Sequence, residues 1–336
     1  MDFSSLDRAW IVAEIGVNHE GDVRCAADLI TKAADAGANA VKFQNYLAER
    51  YISSEQPDRL QNAQRRQLTP SEFRYLSDLA NEIGITFFST PLSPDDADDL
   101  ENFLPIFKVA SGEITWHGLI QHLAKKRKPL ILSTGGASIS EIGRAVNWVY
   151  EAWPNVKESG GLMLMHCVMA YPAPGESANL RNISTLAEEF KVPIGYSDHT
   201  LGIDTCVSAV SAGAIAIEKH FTYRKTGQDF RDHQLSADPQ DLKELVQKIR
   251  ATEILLGSKT RRRQPEESKI IDTMRRSLAA ARDLPAGSQI EEHQLTGLRP
   301  NWGISVDLIN HVIGKSLCRS ISKGELIQWS DLEDKS

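Results

Sequence analysis

Two kinds of chemically competent side chain recur along this sequence, each close behind a short apolar run. The first kind is hydroxyl and ammonium: Lys42, Thr90, Lys108, Ser111, Ser133 and Ser197, with Gly112, Gly135 and Gly136 beside them. Hydroxyls, lysines and glycine-exposed backbone N–H groups are what a phosphate, or a phosphate with a carboxylate, needs. The second kind is imidazole and carboxylate: His199, His220 and Glu14, with His166 as a further candidate. Two histidines behind neighbouring runs, with coordination positions left over, suit a catalytic divalent ion. An unpaired buried polar group costs roughly 1–3 kcal/mol. A ring of them is tolerated where a ligand or an ion satisfies it.

Each residue also has a plainer role open to it. A lone histidine at a strand end is commonly hydrogen-bonded structure. Lys42 or Lys108 would suit a Schiff base, a common barrel chemistry, although the hydroxyls around them favour an anion. The serines and threonines suit helix caps. Glu14 suits a structural ion pair with a lysine. Cys167 reads as a small core residue, with no base dedicated to it.

The elements that must position these groups are strands. Short apolar runs fall at Ala9–Ala13, Ala40–Phe43, Ile85–Ser89, Ile106–Ala110, Leu130–Ser133, Leu162–His166, Pro193–Tyr196 and Ile215–Lys219. Amphipathic stretches such as Arg24–Ala36, Ser71–Ile83, Pro94–Asn102, Ile139–Ala152 and Thr205–Ala212 alternate with them. Continuous apolar strands suit a parallel sheet buried on both faces. Eight strand–helix repeats predict a closed (β/α)8 TIM barrel. Gly37, Gly84 and Gly213 stand where a helix ends before the next strand, the position glycine fills most cheaply. Barrel enzymes carry their chemistry at the C-terminal strand ends. The residues named above lie there, as do Glu218 and Lys219 on the eighth run and Asp198 on the seventh.

The texture changes after Leu242–Gly257. The reading places a catalytic barrel at 1–258, a linker at 259–274 and a small β-rich domain at 275–334. The charged, aperiodic phrase Lys259–Lys269 carries the linker. Short strands and the PAG and KG turns carry the tail, about 60 residues and near the lower limit for folding alone. The formal net charge of −7 argues against a nucleic-acid partner, but a local pocket can still take anions. Cys25, Cys167, Cys206 and Cys318 lack CxxC spacing, which favours reduced thiols. The first residues lack a signal-peptide pattern and no apolar run reaches membrane length, so a cytoplasmic protein without a membrane partner is expected.

Several phrases in order resemble one family. They are AEIGVNHEG (Ala13–Gly21), VKFQ (Val41–Gln44), FFSTP (Phe87–Pro91), FKVASGE (Phe107–Glu113), ILSTGG (Ile131–Gly136), HC..AYP (His166–Pro172), GYSDHT (Gly195–Thr200) and IEKHF (Ile217–Phe221). Together they resemble the sialic acid synthases, which condense phosphoenolpyruvate with an acylamino hexose to make a nonulosonic acid. The tail, including GLRPNWGIS (Gly297–Ser305), resembles that family's antifreeze-like (SAF) domain. The resemblance implies a condensation such as that with N-acetylmannosamine, with phosphate released by C–O cleavage. It implies Mn2+ or Mg2+ on His199 and His220. Lys42, Thr90, Lys108, Ser111, Ser133 and Ser197 match phosphoenolpyruvate-binding positions. Glu14 and Glu218 match catalytic acidic positions. Gln44, Tyr171 and Asp232 match positions that touch the sugar. Arg299 matches an arginine that the tail of a second subunit sends over the site, which implies a domain-swapped homodimer.

Three departures fall on the sugar side or beside it. Met169 stands where many relatives carry asparagine or a small polar residue that reaches phosphoenolpyruvate. Ile52–Thr69 and Thr222–Ser236 do not follow the expected pattern. Legionaminic and pseudaminic acid synthases share every phrase quoted, so the acceptor stays open. A barrel pyruvate lyase with a Schiff-base lysine is one rival. An octulosonate or heptulosonate synthase is another, which the tail argues against. An ice- or carbohydrate-binding protein is a third, but Arg275, Arg276, Arg282, Glu291, Glu292, Lys315, Arg319 and Lys323 suit an interface or lid better than a flat neutral face.

Overall fold

The computed structural model describes residues 1–228 and 230–333. Residue 334, the expected end of the tail domain, and residue 229, inside the Thr222–Ser236 stretch, lie outside the described residues. Eight parallel strands close into a barrel in chain order: β1 (Trp10–Gly16), β2 (Ala40–Asn45), β3 (Thr86–Pro91), β4 (Phe107–Val109), β5 (Leu130–Ser133), β6 (Leu162–Cys167), β7 (Ile194–Asp198) and β8 (Ala216–His220). The last strand closes on the first, with Trp10 opposite Ala216 and Glu14 opposite His220. This is the TIM barrel expected from the strand–helix alternation.

Period-two alternation decides what faces the barrel axis. Trp10, Val12, Ala40, Phe88, Ile106, Ile131, Met163, Met165 and Ala216 pack together as the inner core. Each neighbour two residues on, toward the C-terminal mouth, then shares the inward face. By that count Glu14, Lys42, Thr90, Lys108, Ser133, Cys167 and Glu218 all point inward. The alternate residues, such as Ile11, Ala13, Ile15, Val41, Phe43, Tyr196 and Ile217, pack outward against the helices. The barrel floor is apolar and its rim is polar on the same set of strands.

Helices absent from the sequence reading include His117–Lys125 and Asn182–Phe190, which complete two strand–helix repeats. Pro57–Arg66 is also helical, inside the polar stretch that the reading left without structure. Among the described residues, no helix is long and apolar enough to cross a membrane.

The chain divides into two compact units, Met1–Gly257 and a second beginning at Ser258. The second unit opens with a helix, Pro265–Met274, where the sequence reads as linker. Pro265 sits in its first turn, and Gln264 and Glu267 cap it reciprocally. Beyond it, β9 (Ser277–Ala280) and β10 (Leu295–Leu298) pair antiparallel. Leu278, Leu284, Ile290, Ile304, Val312, Leu317, Ile321 and Ile327 form this unit's own core.

Candidate active site

The strand ends converge on a buried box of four charges. Lys42 Nζ lies 2.7 Å from Glu14 Oε2 and 3.7 Å from Glu218 Oε1. Lys108 Nζ lies 3.3 Å from Glu218 Oε1. Lys42 also donates to Thr90 Oγ1 at 3.2 Å, and Ser197 Oγ donates to Glu218 Oε1 at 2.9 Å. Gln44 Nε2 donates to Glu14 Oε1 at 3.2 Å. All four charged side chains are buried. The two ammoniums and two carboxylates cancel, which is what makes such burial tolerable.

The two carboxylates are driven apart. Burial pushes Glu14 up from the ordinary glutamate range, and the neighbouring Glu218 charge adds to this against the pull of Lys42. Burial opposes ionisation of Glu218 as well, but Lys108 and Lys42 outweigh it and hold Glu218 at about 2. Burial lowers Lys108. Lys42 feels the same burial, yet Glu14 and Glu218 together raise it. Two carboxylates with opposed shifts are the usual mark of divided acid and base roles.

Beside the box lies a second hydroxyl site. Ser111 Oγ accepts from the Gly135 backbone N–H at 3.1 Å and contacts Cys167 Sγ at 3.0 Å. A Cβ on Gly135 would stand 2.7 Å from Cys167 Sγ and 2.8 Å from Ser111 Oγ, so only glycine fits there. Ser133 is buried at the end of β5.

The imidazoles stand next to the box, with His220 the register partner of Glu14. The rings of His199 and His220 are 5.4 Å apart, and Tyr171 packs 4.2 Å from His199. His199 Nδ1 donates to the Val168 carbonyl at 2.6 Å, which leaves Nε2 with its lone pair. His220 Nδ1 is buried without a hydrogen-bond partner, 4.0 Å from Asp232 Oδ2. Burial lowers both imidazoles, and the nearby Lys42, Lys219 and Lys108 ammoniums push His220 further down. Two neutral imidazoles with free lone pairs fit a divalent cation whose remaining positions go to water and substrate. Among the described residues, no three His, Cys, Asp or Glu side chains form a cage on their own. His166 packs elsewhere: its ring lies 5.7 Å from Tyr196 and its Nε2 donates to the Ala178 carbonyl at 2.7 Å.

Above these groups a mouth of about 1000 Å³ opens, bordered by Gln44, Ser111, Tyr171, His220 and Asp232. Its wall also includes Glu113 at the end of the fourth strand, and residues not singled out from the sequence: Tyr51, Asp58, Arg59, Asn62 and Arg66, with Phe230 and Arg231. Arg66 lies 4.6 Å over the Phe230 ring and Arg231 4.8 Å over Tyr171. A neighbouring cavity of about 560 Å³ is lined by Thr134, Gly136, His166, Cys167 and Leu186. Met169 borders both cavities and is half exposed. Arg299 lies in the second unit, exposed.

Residues 29–261 match the model of the NeuB family, and residues 275–333 match the SAF domain. The chain belongs to the NeuB family. The N,N'-diacetyllegionaminic acid synthase of Legionella pneumophila is 38% identical, covering 96% of this chain and 94% of its own. The N-acetylneuraminate-9-phosphate synthase of Mus musculus is 32% identical over 97% of this chain and 93% of its own. A crystal structure of the N-acetylneuraminic acid (sialic acid) synthetase of Leptospira borgpetersenii is 36% identical, with TM-score 0.74, over 79% of this chain and 90% of that one. This NeuB-family chain is an enzyme, a synthase with a C-terminal SAF domain, as the phrases along the strands implied.

Proposed function

We propose that this enzyme condenses phosphoenolpyruvate with an N-acylamino hexose and releases phosphate, making a nonulosonic acid. The observation that carries this is the buried box of Lys42, Lys108, Glu14 and Glu218 beside two neutral imidazoles. The box is electrically neutral as it stands. A phosphate monoester brings roughly −1.5 to −2 charges, and the substrate carboxylate adds another. That load needs more positive charge than two engaged lysines offer. A divalent ion at His199 and His220, Mn2+ or Mg2+, would supply it, while Arg299 would reach in from a second subunit over the sugar. The same reading makes the enzyme a domain-swapped homodimer.

Lys42, Thr90, Lys108, Ser111, Ser133 and Ser197 hold the phosphate and carboxylate, with the Gly135 N–H close by. Glu218, kept ionised by the lysines, stabilises positive charge developing at C2. Glu14, raised by burial, holds or releases a proton at the reacting carbons. When bound, the divalent ion supplies Lewis-acid polarisation of a carbonyl oxygen. Gln44, Tyr171, Asp232 and Arg299 orient the sugar so that C3 of phosphoenolpyruvate forms the new bond to its aldehyde carbon. Water adds at C2, and phosphate leaves with the bridging oxygen.

The acceptor is N-acetylmannosamine, its phosphate, or a di-N-acetylated 6-deoxy hexose of the legionaminic or pseudaminic series. Phosphoenolpyruvate labelled with oxygen-18 in the bridging position tests the chemistry. Label is expected in the released phosphate; label retained in the organic acid would overturn the reading.

A further inference from the structure

One buried ion pair takes no part in the site as described. Asp198 and Lys219 face each other directly across β7 and β8, one residue before His199 and one before His220. Their register neighbours Ser197 and Glu218 point into the barrel, so the pair points out, into the layer between strands and helices. The side chains are 0% and 1% exposed, and Lys219 Nζ meets Asp198 Oδ2 at 2.6 Å. A buried ion pair is rarely more stable than apolar residues of the same volume. The strong packing around it could have been made with valine and leucine, as elsewhere in this layer.

The connections suggest another use. Lys219 Nζ donates also to the Thr200 carbonyl at 2.6 Å. One ammonium thus holds the residues on both sides of His199, while its own chain neighbour is His220. Asp198 is saturated: it accepts from Tyr196 Oη at 2.9 Å, from the Thr200 N–H at 3.1 Å and from Thr200 Oγ1 at 3.2 Å. Cys206 Sγ donates at 3.4 Å to Oδ2, the oxygen that Lys219 and Thr200 Oγ1 also reach. On the opposite side, the Val168 carbonyl fixes the His199 ring. The two imidazoles sit on consecutive strands, and this pair is the joint between those strands at their level.

We infer that Asp198 and Lys219 are positioning residues that set the spacing and orientation of His199 and His220 for a divalent cation. The inference rests on the reading of those histidines as ligands. Outer groups that orient ligands typically change affinity by about 10–100-fold when removed.

The test is Mn2+ binding to the full-length protein, followed by electron paramagnetic resonance of free and bound Mn2+, without turnover. Asp198→Asn and Lys219→Met singly leave a buried charge unpaired and risk the fold. The double variant Asp198→Asn/Lys219→Met removes both charges and keeps both volumes. It is expected to fold and to bind Mn2+ about 10–100-fold more weakly with a broadened bound-ion spectrum. A folded double variant with wild-type Mn2+ affinity and spectrum would overturn the inference. Should the double variant not fold, Tyr196→Phe decides. It removes one donor to Asp198 without stranding a charge, and a few-fold weaker Mn2+ binding is expected, with no change overturning the inference. Wild-type protein that binds no Mn2+ would sink the ligand reading itself, and this inference with it.

Discussion

The floor of the site and the wall of its mouth are built on different principles. The floor groups, Lys42, Lys108, Glu14 and Glu218, sit on strands, are buried and share short contacts. The wall residues, Tyr51, Arg59, Asn62, Arg66 and Arg231, sit on helices and loops and are mostly exposed. A strand end in a closed barrel has little freedom, so the floor can hold reacting groups in place. A wall on a separate helix can change without disturbing the barrel. Under the proposed function the floor carries the common chemistry and the wall the choice of acceptor.

The largest effects should come from the floor and the two histidines beside it. His220→Ala or His199→Ala should lower turnover on the order of 10³-fold while leaving the thermal melt cooperative. Steady-state kinetics with circular dichroism checks both halves of that statement. Lys108→Met should cost about 10²-fold in kcat/KM, because the cation facing the phosphate is lost and Glu218 keeps only Lys42, 3.7 Å away.

The proposed function brings Arg299 of a second subunit to the site. Arg299→Ala is expected to lose about 10²-fold in kcat. Unfolded and refolded together in equal amounts, Arg299→Ala and His220→Ala should recover about a quarter of wild-type activity, because mixed dimers carry one intact site. No recovery would place the arginine over its own barrel.

A subtler effect belongs to Glu14. Its carboxyl is raised above the ordinary range, so it takes up a proton at a higher pH than a free glutamate. Protonation frees Lys42 for the substrate. Phosphoenolpyruvate affinity of the wild type should therefore approach that of Glu14→Gln as pH falls and drop below it as pH rises. Isothermal titration of both proteins across pH 5–8 (approximate range) reads the difference.

The smallest effects belong to the wall and its border. Arg59→Ala should raise the acceptor KM by roughly 2–10-fold and leave that for phosphoenolpyruvate alone. Met169→Asn should lower the phosphoenolpyruvate KM by a few-fold, since it adds one polar contact. Equal effects of Arg59→Ala on both substrates would break the division between floor and wall.

The same division governs what the sequence discloses. Strands announce themselves by apolar runs, and the polar residues that end them fall at counted positions. That made the barrel and Lys42, Lys108, His199 and His220 legible. Pro57–Arg66 carries a polar composition with few buried residues, so no periodic apolar face marked it. The helix Pro265–Met274 has no fully buried residue and was read as linker for the same reason. Asp198 and Lys219 were visible at strand ends, but their pairing needed the register between β7 and β8. The signal that could have found them is alternation: with Ser197 and Glu218 pointing in, their neighbours must point out together.

The most direct test of the account is phosphate release after metal removal. Protein stripped with EDTA is mixed with phosphoenolpyruvate and N-acetylmannosamine, its phosphate, or the di-N-acetylated 6-deoxy hexoses, with and without Mn2+. At least one acceptor should give phosphate and a nonulosonic acid only when Mn2+ is restored. Failure with every acceptor, or a lysine trapped by borohydride with pyruvate in metal-free protein, would contradict it.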